Sequence, residues 1–104
     1  MATAALLCLA ATTQAAPLHY LTLINRAHAA ASTVEVAEHG SDDFHALVLA
    51  GPIEGGGGQA TVALRETGCR LDLRFQFSDG RRARYSDTNV CRGDALVIAP
   101  LPAR

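Results

Sequence analysis

From residue 19 onward the chain alternates apolar and polar side chains with a period of two, and no stretch shows a convincing 3.6-residue period. Period two belongs to extended backbone, whose successive side chains point to opposite faces. "HYLTLINRA" sets Tyr20, Thr22 and Ile24 against Leu21, Leu23 and Asn25, a composition that suits burial on both sides. "STVEVAE" alternates Val34 and Val36 against Glu35 and Glu38, and "HALVLAG" is a short apolar run ended by Gly51 and Pro52. "QATVALRET" places Thr61, Ala63 and Arg65 opposite Ala60, Val62 and Leu64. The clearest strand is "CRLDLRFQF", with Cys69, Leu71, Leu73, Phe75 and Phe77 on one face and Arg70, Asp72, Arg74 and Gln76 on the other. A last strand, "ALVIAPL", is stopped by Pro100 and Pro102.

"FQFSDGRRARYS" is two alternating runs around a turn, and its register follows from side-chain chemistry. Directly opposed residues of an antiparallel pair share a face. A two-residue Asp79-Gly80 turn would set Phe75 against Arg84 and bury arginines. A three-residue loop, Ser78 to Gly80, pairs Phe75 with Ala83 and Leu73 with Tyr85, and needs a left-handed third residue that Gly80 supplies. Arg74, Arg82 and Arg84 then share the outward face, with Arg70 nearby. "GPIEGGGGQ" has the greatest backbone freedom in the chain and reads as a flexible surface connection. It lacks the Gly-x-Gly-x-x-Gly order and the following Lys-Ser/Thr of a phosphate-binding loop.

About seven short strands, glycine-rich turns and no helix predict an all-β fold, an antiparallel β-sandwich of immunoglobulin-like size. A partly open barrel is the competing all-β arrangement. A chain of 104 residues has room for one domain and one modest core. Its 49% hydrophobic content argues against disorder.

Residues 1–15 change the picture of where that domain works. "MATAALLCLAATTQAA" carries no charge and an apolar stretch from Ala4 to Ala11, too short to span a bilayer, so it reads as a secretory signal cleaved after Ala15. No Lys or Arg precedes the apolar stretch, which leaves open a start further upstream and an N-terminal helix belonging to the fold. The mature domain, residues 16–104, is then periplasmic or secreted, without a transmembrane segment. Removing the leader removes Cys8 and leaves Cys69 and Cys91, an even pair bound for an oxidising compartment and expected to form a structural disulfide. Cys69 falls in phase with the core face, so a buried bridge is expected.

Two polar concentrations could carry function. Arginines opposed across strands repel mildly, so the face of Arg74, Arg82 and Arg84 is either neutralised by acids of a neighbouring strand or open to an anionic partner, an envelope protein or anionic polymer. Nucleic acid is not expected: the net charge is −1 and few aromatics are available for stacking. "EHGSDDFH" offers Glu38, Asp42, Asp43 and His45 as an alternative calcium or zinc site, although its spacing matches neither an EF-hand nor His-Glu-x-x-His. No nucleophile motif occurs, and both mature cysteines are better used together than one as an active thiol. The reading is therefore a non-enzymatic binding or structural module with no cofactor.

The order of features resembles a set of small exported proteins of Gram-negative bacteria without an assigned activity. "LTLIN" ending in Asn25, "GSDDF" at 40–44, "CRLDLRFQFSDG" at 69–80, Tyr85 and "NVC" at 89–91 carry the likeness. In that set the aspartate pair is followed by Trp-Gly, where this chain has Phe44-His45. The resemblance implies the sandwich and the late disulfide, and no activity. A lyase activity of the argininosuccinate type, sometimes ascribed to such chains, needs a helical bundle for which this domain has no room.

Overall fold

The computed structural model describes residues 19–102; the leader expected over residues 1–15 lies outside the described residues. Seven strands form: β1 (His19–Asn25), β2 (Ala31–Glu38), β3 (His45–Ala46), β4 (Gly58–Leu64), β5 (Arg70–Phe77), β6 (Arg82–Asn89) and β7 (Ala95–Ile98). They divide into a three-stranded sheet, β4-β1-β7, and a four-stranded sheet, β3-β2-β5-β6. The expected all-β sandwich with one disulfide is present, with one departure: β7 lies parallel to β1, Thr22 facing Ala95 and Asn25 facing Ile98, while the other pairs are antiparallel. Alternation marks β7 as a strand but carries no direction; the crossing of the chain from β6 to the opposite sheet sets it.

The core fills the space between the sheets. Leu21 and Leu23 of β1, Val34 and Val36 of β2, Val62 and Leu64 of β4, Leu71, Leu73, Phe75 and Phe77 of β5 and Ile98 of β7 are all buried in one cluster. Each such side chain stabilises the fold by about 2 kcal/mol relative to exposure. Burial of β1 is one-sided, contrary to expectation: Tyr20 remains 57% exposed, and Thr22 and Ile24 are half-buried. The three-stranded sheet has no further layer outside it among the described residues.

One end of the sandwich is closed by a polar device. Asn25 is fully buried and satisfies three backbone groups: its Nδ2 donates to Ala29 O at 3.0 Å and Ile53 O at 2.9 Å, and its Oδ1 accepts from Ala27 N–H at 3.0 Å. Ile53, paired with Ala31 as an isolated bridge, is buried beside it. The glycine run following Ile53 is not the loose connection expected of it. Gly56 N–H donates to Ala27 O at 2.9 Å and Gly57 N–H to Asn25 O at 2.6 Å, and a Cβ on Gly55 would stand 2.3 Å from the His28 carbonyl oxygen. Here glycine serves close backbone approach rather than freedom.

Two further expectations are corrected. The apolar run after Phe44 forms only the two-residue β3; Leu47 and Leu49 turn partly onto the core and Val48 is 93% exposed. Cys69 and Cys91 are bonded, with Cα atoms 5.2 Å apart, but both residues are exposed. The phase of β5 places Cys69 in line with the core side chains; at the strand's end nothing covers it. The bridge ties the open end of the β5–β6 pair, beside the bond from Val90 N–H to Cys69 O at 2.8 Å.

Candidate functional site

The hairpin adopts the expected register, with Phe75 facing Ala83, Leu73 facing Tyr85 and Arg74 facing Arg84. Gly80 has φ +88° and donates its N–H to Phe77 O at 2.9 Å, so the loop is Ser78 to Gly80. Ala83 and Tyr85 face inward. Tyr85 packs edge-on to Phe75, ring centres 5.7 Å apart, and its hydroxyl accepts from Ala99 N–H at 2.8 Å. Arg82 and Arg84 consequently face out beside Arg74.

Acids from β2 and from the turn after it meet these arginines. Glu35 of β2 is opposite Arg74 and pairs with it at 3.1 Å. Arg84 lies 3.4 Å from Asp72 and 3.7 Å from Asp42, and its Nε donates to Ser86 Oγ at 3.2 Å. The Phe44 ring lies under both cations, 3.7 Å from the Arg74 guanidinium carbon and 5.3 Å from that of Arg84. Arrangements of this kind hold guanidinium planes by cation–π attraction. Arg82 makes no ion pair or side-chain hydrogen bond among the described residues. A shallow depression of about 290 Å³ lies between the rows, lined by Glu35, Arg74, Gln76, Arg82 and Arg84 over the Phe75–Ala83 pair.

Asp72 anchors this arrangement. Sequence alternation puts it on the solvent face of β5, and it stands there, but only 1% exposed. A β-bulge between Leu71 and Leu73, with Asp87 at φ +57°, aims the Asp87 N–H at its carboxylate at 2.8 Å. The turn after β2 folds over it from the other side: His39 Nδ1–H donates to it at 2.9 Å and Gly40 N–H reaches it at 3.5 Å. The Asp87 amide and then the His39 ring hold the Asp72 carboxyl down at about 2, against an ordinary 3.8, outweighing the opposing effect of burial. The same hydrogen bond raises His39 above its ordinary 6.5.

The two polar concentrations of the sequence therefore meet in part. The 38–45 segment supplies Phe44 and Asp42 to the arginine face. Of the four side chains suggested for a metal, Asp42 turns to Arg84, while Glu38, Asp43 and His45 line a different, open depression, where His45 Nε2 pairs with Glu66 at 2.6 Å. Among the described residues no three His, Cys, Asp or Glu side chains gather as a metal group. Sequence reasoning placed Asp72 in the arginine patch and allowed for acids of a neighbouring strand, but it missed Glu35 and Phe44 as the particular partners and the burial of Asp72 under donors from a bulge and a turn. The signal for Glu35 was present in its outward phase on β2; the missing knowledge was that β2 lies beside β5.

Compared with known proteins, the chain matches no family model, no curated protein and no solved structure. The disulfide is compatible with an oxidising extracytoplasmic compartment. No helix among the described residues is long and apolar enough to cross a membrane.

Proposed function

We propose that the protein is a non-enzymatic exported binding domain, periplasmic or secreted, whose contact surface for an anionic partner is the face of Arg74, Arg82 and Arg84. Membership of the small exported all-β proteins that it resembles is part of this proposal. The observation that carries it is the unpartnered Arg82 guanidinium at a depression whose other cations, Arg74 and Arg84, are braced by Glu35, Asp72 and Phe44. Bracing lowers the entropy lost when a planar cation grips a carboxylate or phosphate. Glu35 offsets the charge of Arg74, and Asp42 and Asp72 that of Arg84, so the face selects by local geometry around Arg82 rather than by bulk attraction.

The test is retention of the disulfide-bonded protein on Gram-negative envelope fractions, for the wild type, for Arg82→Ser, and for the triple change Arg74→Ser, Arg82→Ser, Arg84→Ser. Retention is expected to fall with Arg82→Ser and to weaken as salt shortens the screening length from about 30 Å at 0.01 M to about 8 Å at 0.15 M. Retention that ignores both salt and all three substitutions removes the electrostatic contact.

A further inference from the structure

Among the described residues β6 is an edge strand: it pairs with β5 on one side and with no strand on the other. In an antiparallel pair, alternate residues aim their backbone N–H and C=O at the neighbour and the rest aim away. The phase here is set by the loop, where Phe77 N–H donates to Arg81 O at 2.9 Å. Arg81, Ala83 and Tyr85 therefore face β5, and Arg82 and Arg84 direct their backbone groups out of the sheet. No other segment among the described residues hydrogen-bonds to those groups. The two residues with free edge groups are thus also the two whose guanidinium side chains stand on the solvent face. Strand rise separates their side chains by about 7 Å.

We infer that the anionic partner is an extended acidic peptide that adds to the sheet as a further strand alongside β6, with acidic side chains two residues apart opposite Arg82 and Arg84. The inference rests on the anionic-contact reading above and deepens it. A peptide residue directly opposite Arg82 in such a pair exchanges backbone hydrogen bonds with it and places its own side chain on the same face. An acid there meets the unpartnered Arg82, and an acid two residues along meets Arg84. Main-chain bonds then give affinity and the alternate acids give specificity.

Charge also selects against other occupants. A second copy of this chain pairing β6 with β6 would oppose arginine to arginine, the kind of edge that resists self-association. The other long edge, β4, presents Gln59, Thr61 and Ala63 outward, with no charge to choose a partner. The bulge at Asp87 ends regular pairing on β6, so the added strand is short, spanning about the stretch from Arg82 to Ser86.

The experiment uses the full chain with its disulfide intact and three probes at low salt: a fluorescent peptide of alternating threonine and glutamate, the same peptide N-methylated on its glutamate amides, and polyphosphate. The unmodified peptide is expected to bind, and methylation to weaken it by about tenfold or more, because charge is unchanged while backbone bonds are lost. Arg82→Ser is expected to weaken the unmodified peptide. Amide exchange at Arg82 and Arg84 is expected to slow on binding, while Ala83 and Tyr85, already bonded to β5, do not change. Equal affinity for the methylated peptide, unaltered exchange at Arg82 and Arg84, or binding of polyphosphate without the peptide overturns strand addition and leaves the anionic contact standing. Failure of all three probes to bind overturns both.

Discussion

Asp72 occupies a solvent-side position of β5 yet is almost wholly covered, because a bulge and a turn each deliver a donor to it. Its depressed pKa makes the pair with His39 a stability device with a definite pH window. A carboxylate held low contributes stability that is present above its unfolded value of 3.8 and is lost as pH falls toward about 2. His39, raised by the same bond, contributes fully below 6.5 and loses its share as pH climbs past its raised value. The contribution is therefore greatest between 3.8 and 6.5. His39→Gln should flatten the decline in the urea midpoint above pH 6.5 and, because the His39 ring also helps to hold the Asp72 carboxyl low, move the acid limb to higher pH. Asp72→Asn should lower the midpoint near pH 5 more than Glu35→Gln does, since Glu35 is a surface partner and such pairs contribute about 0.5 kcal/mol. Identical pH profiles for the wild type and His39→Gln would contradict the device.

Among the elements, the turn that enters β4 is the one whose chemistry departs most from its appearance. Four glycines in a row suggest slack, but Gly55 lies where any side chain meets the Ala27 and His28 carbonyl oxygens. Gly51, a few residues earlier, has open space and no unusual backbone angle. Gly55→Ala is therefore expected to destabilise by about 3 kcal/mol, as forced displacement of packed backbone does. Gly51→Ala should stay within about 0.5 kcal/mol of the wild type. Urea unfolding of the two variants distinguishes a packed turn from a flexible one, for which the two changes would be equivalent. The β5–β6 hairpin, by contrast, follows its local chemistry throughout, since the loop length that keeps arginines out of the core is also the one Gly80 permits.

For the molecule as a whole, a single core between two small sheets leaves the disulfide a large share of the stability. Closing a loop of 22 residues contributes about 3 kcal/mol by restricting the unfolded chain. Because both cysteines are exposed, dithiothreitol in native buffer is expected to release two thiols without denaturant, and the reduced protein to unfold at lower urea. Thiols that appear only on unfolding would contradict the exposed placement. What the amino-acid order determined by itself is local: which segments are strands, which face of β5 is apolar, the loop that sets the β5–β6 register, and the sulfur pair. Backbone alternation and turn chemistry act over a few residues, and those residues are adjacent in the chain. The tertiary structure alone decided what lies beside and above each strand. It put β2 next to β5, so that Glu35 neutralises Arg74; it folded the 39–44 turn over Asp72 and set Phe44 under two arginines; it ran β7 parallel to β1 and left Cys69 uncovered. Each of those outcomes joins residues far apart in sequence, where phase gives the direction of a side chain but packing determines what it meets.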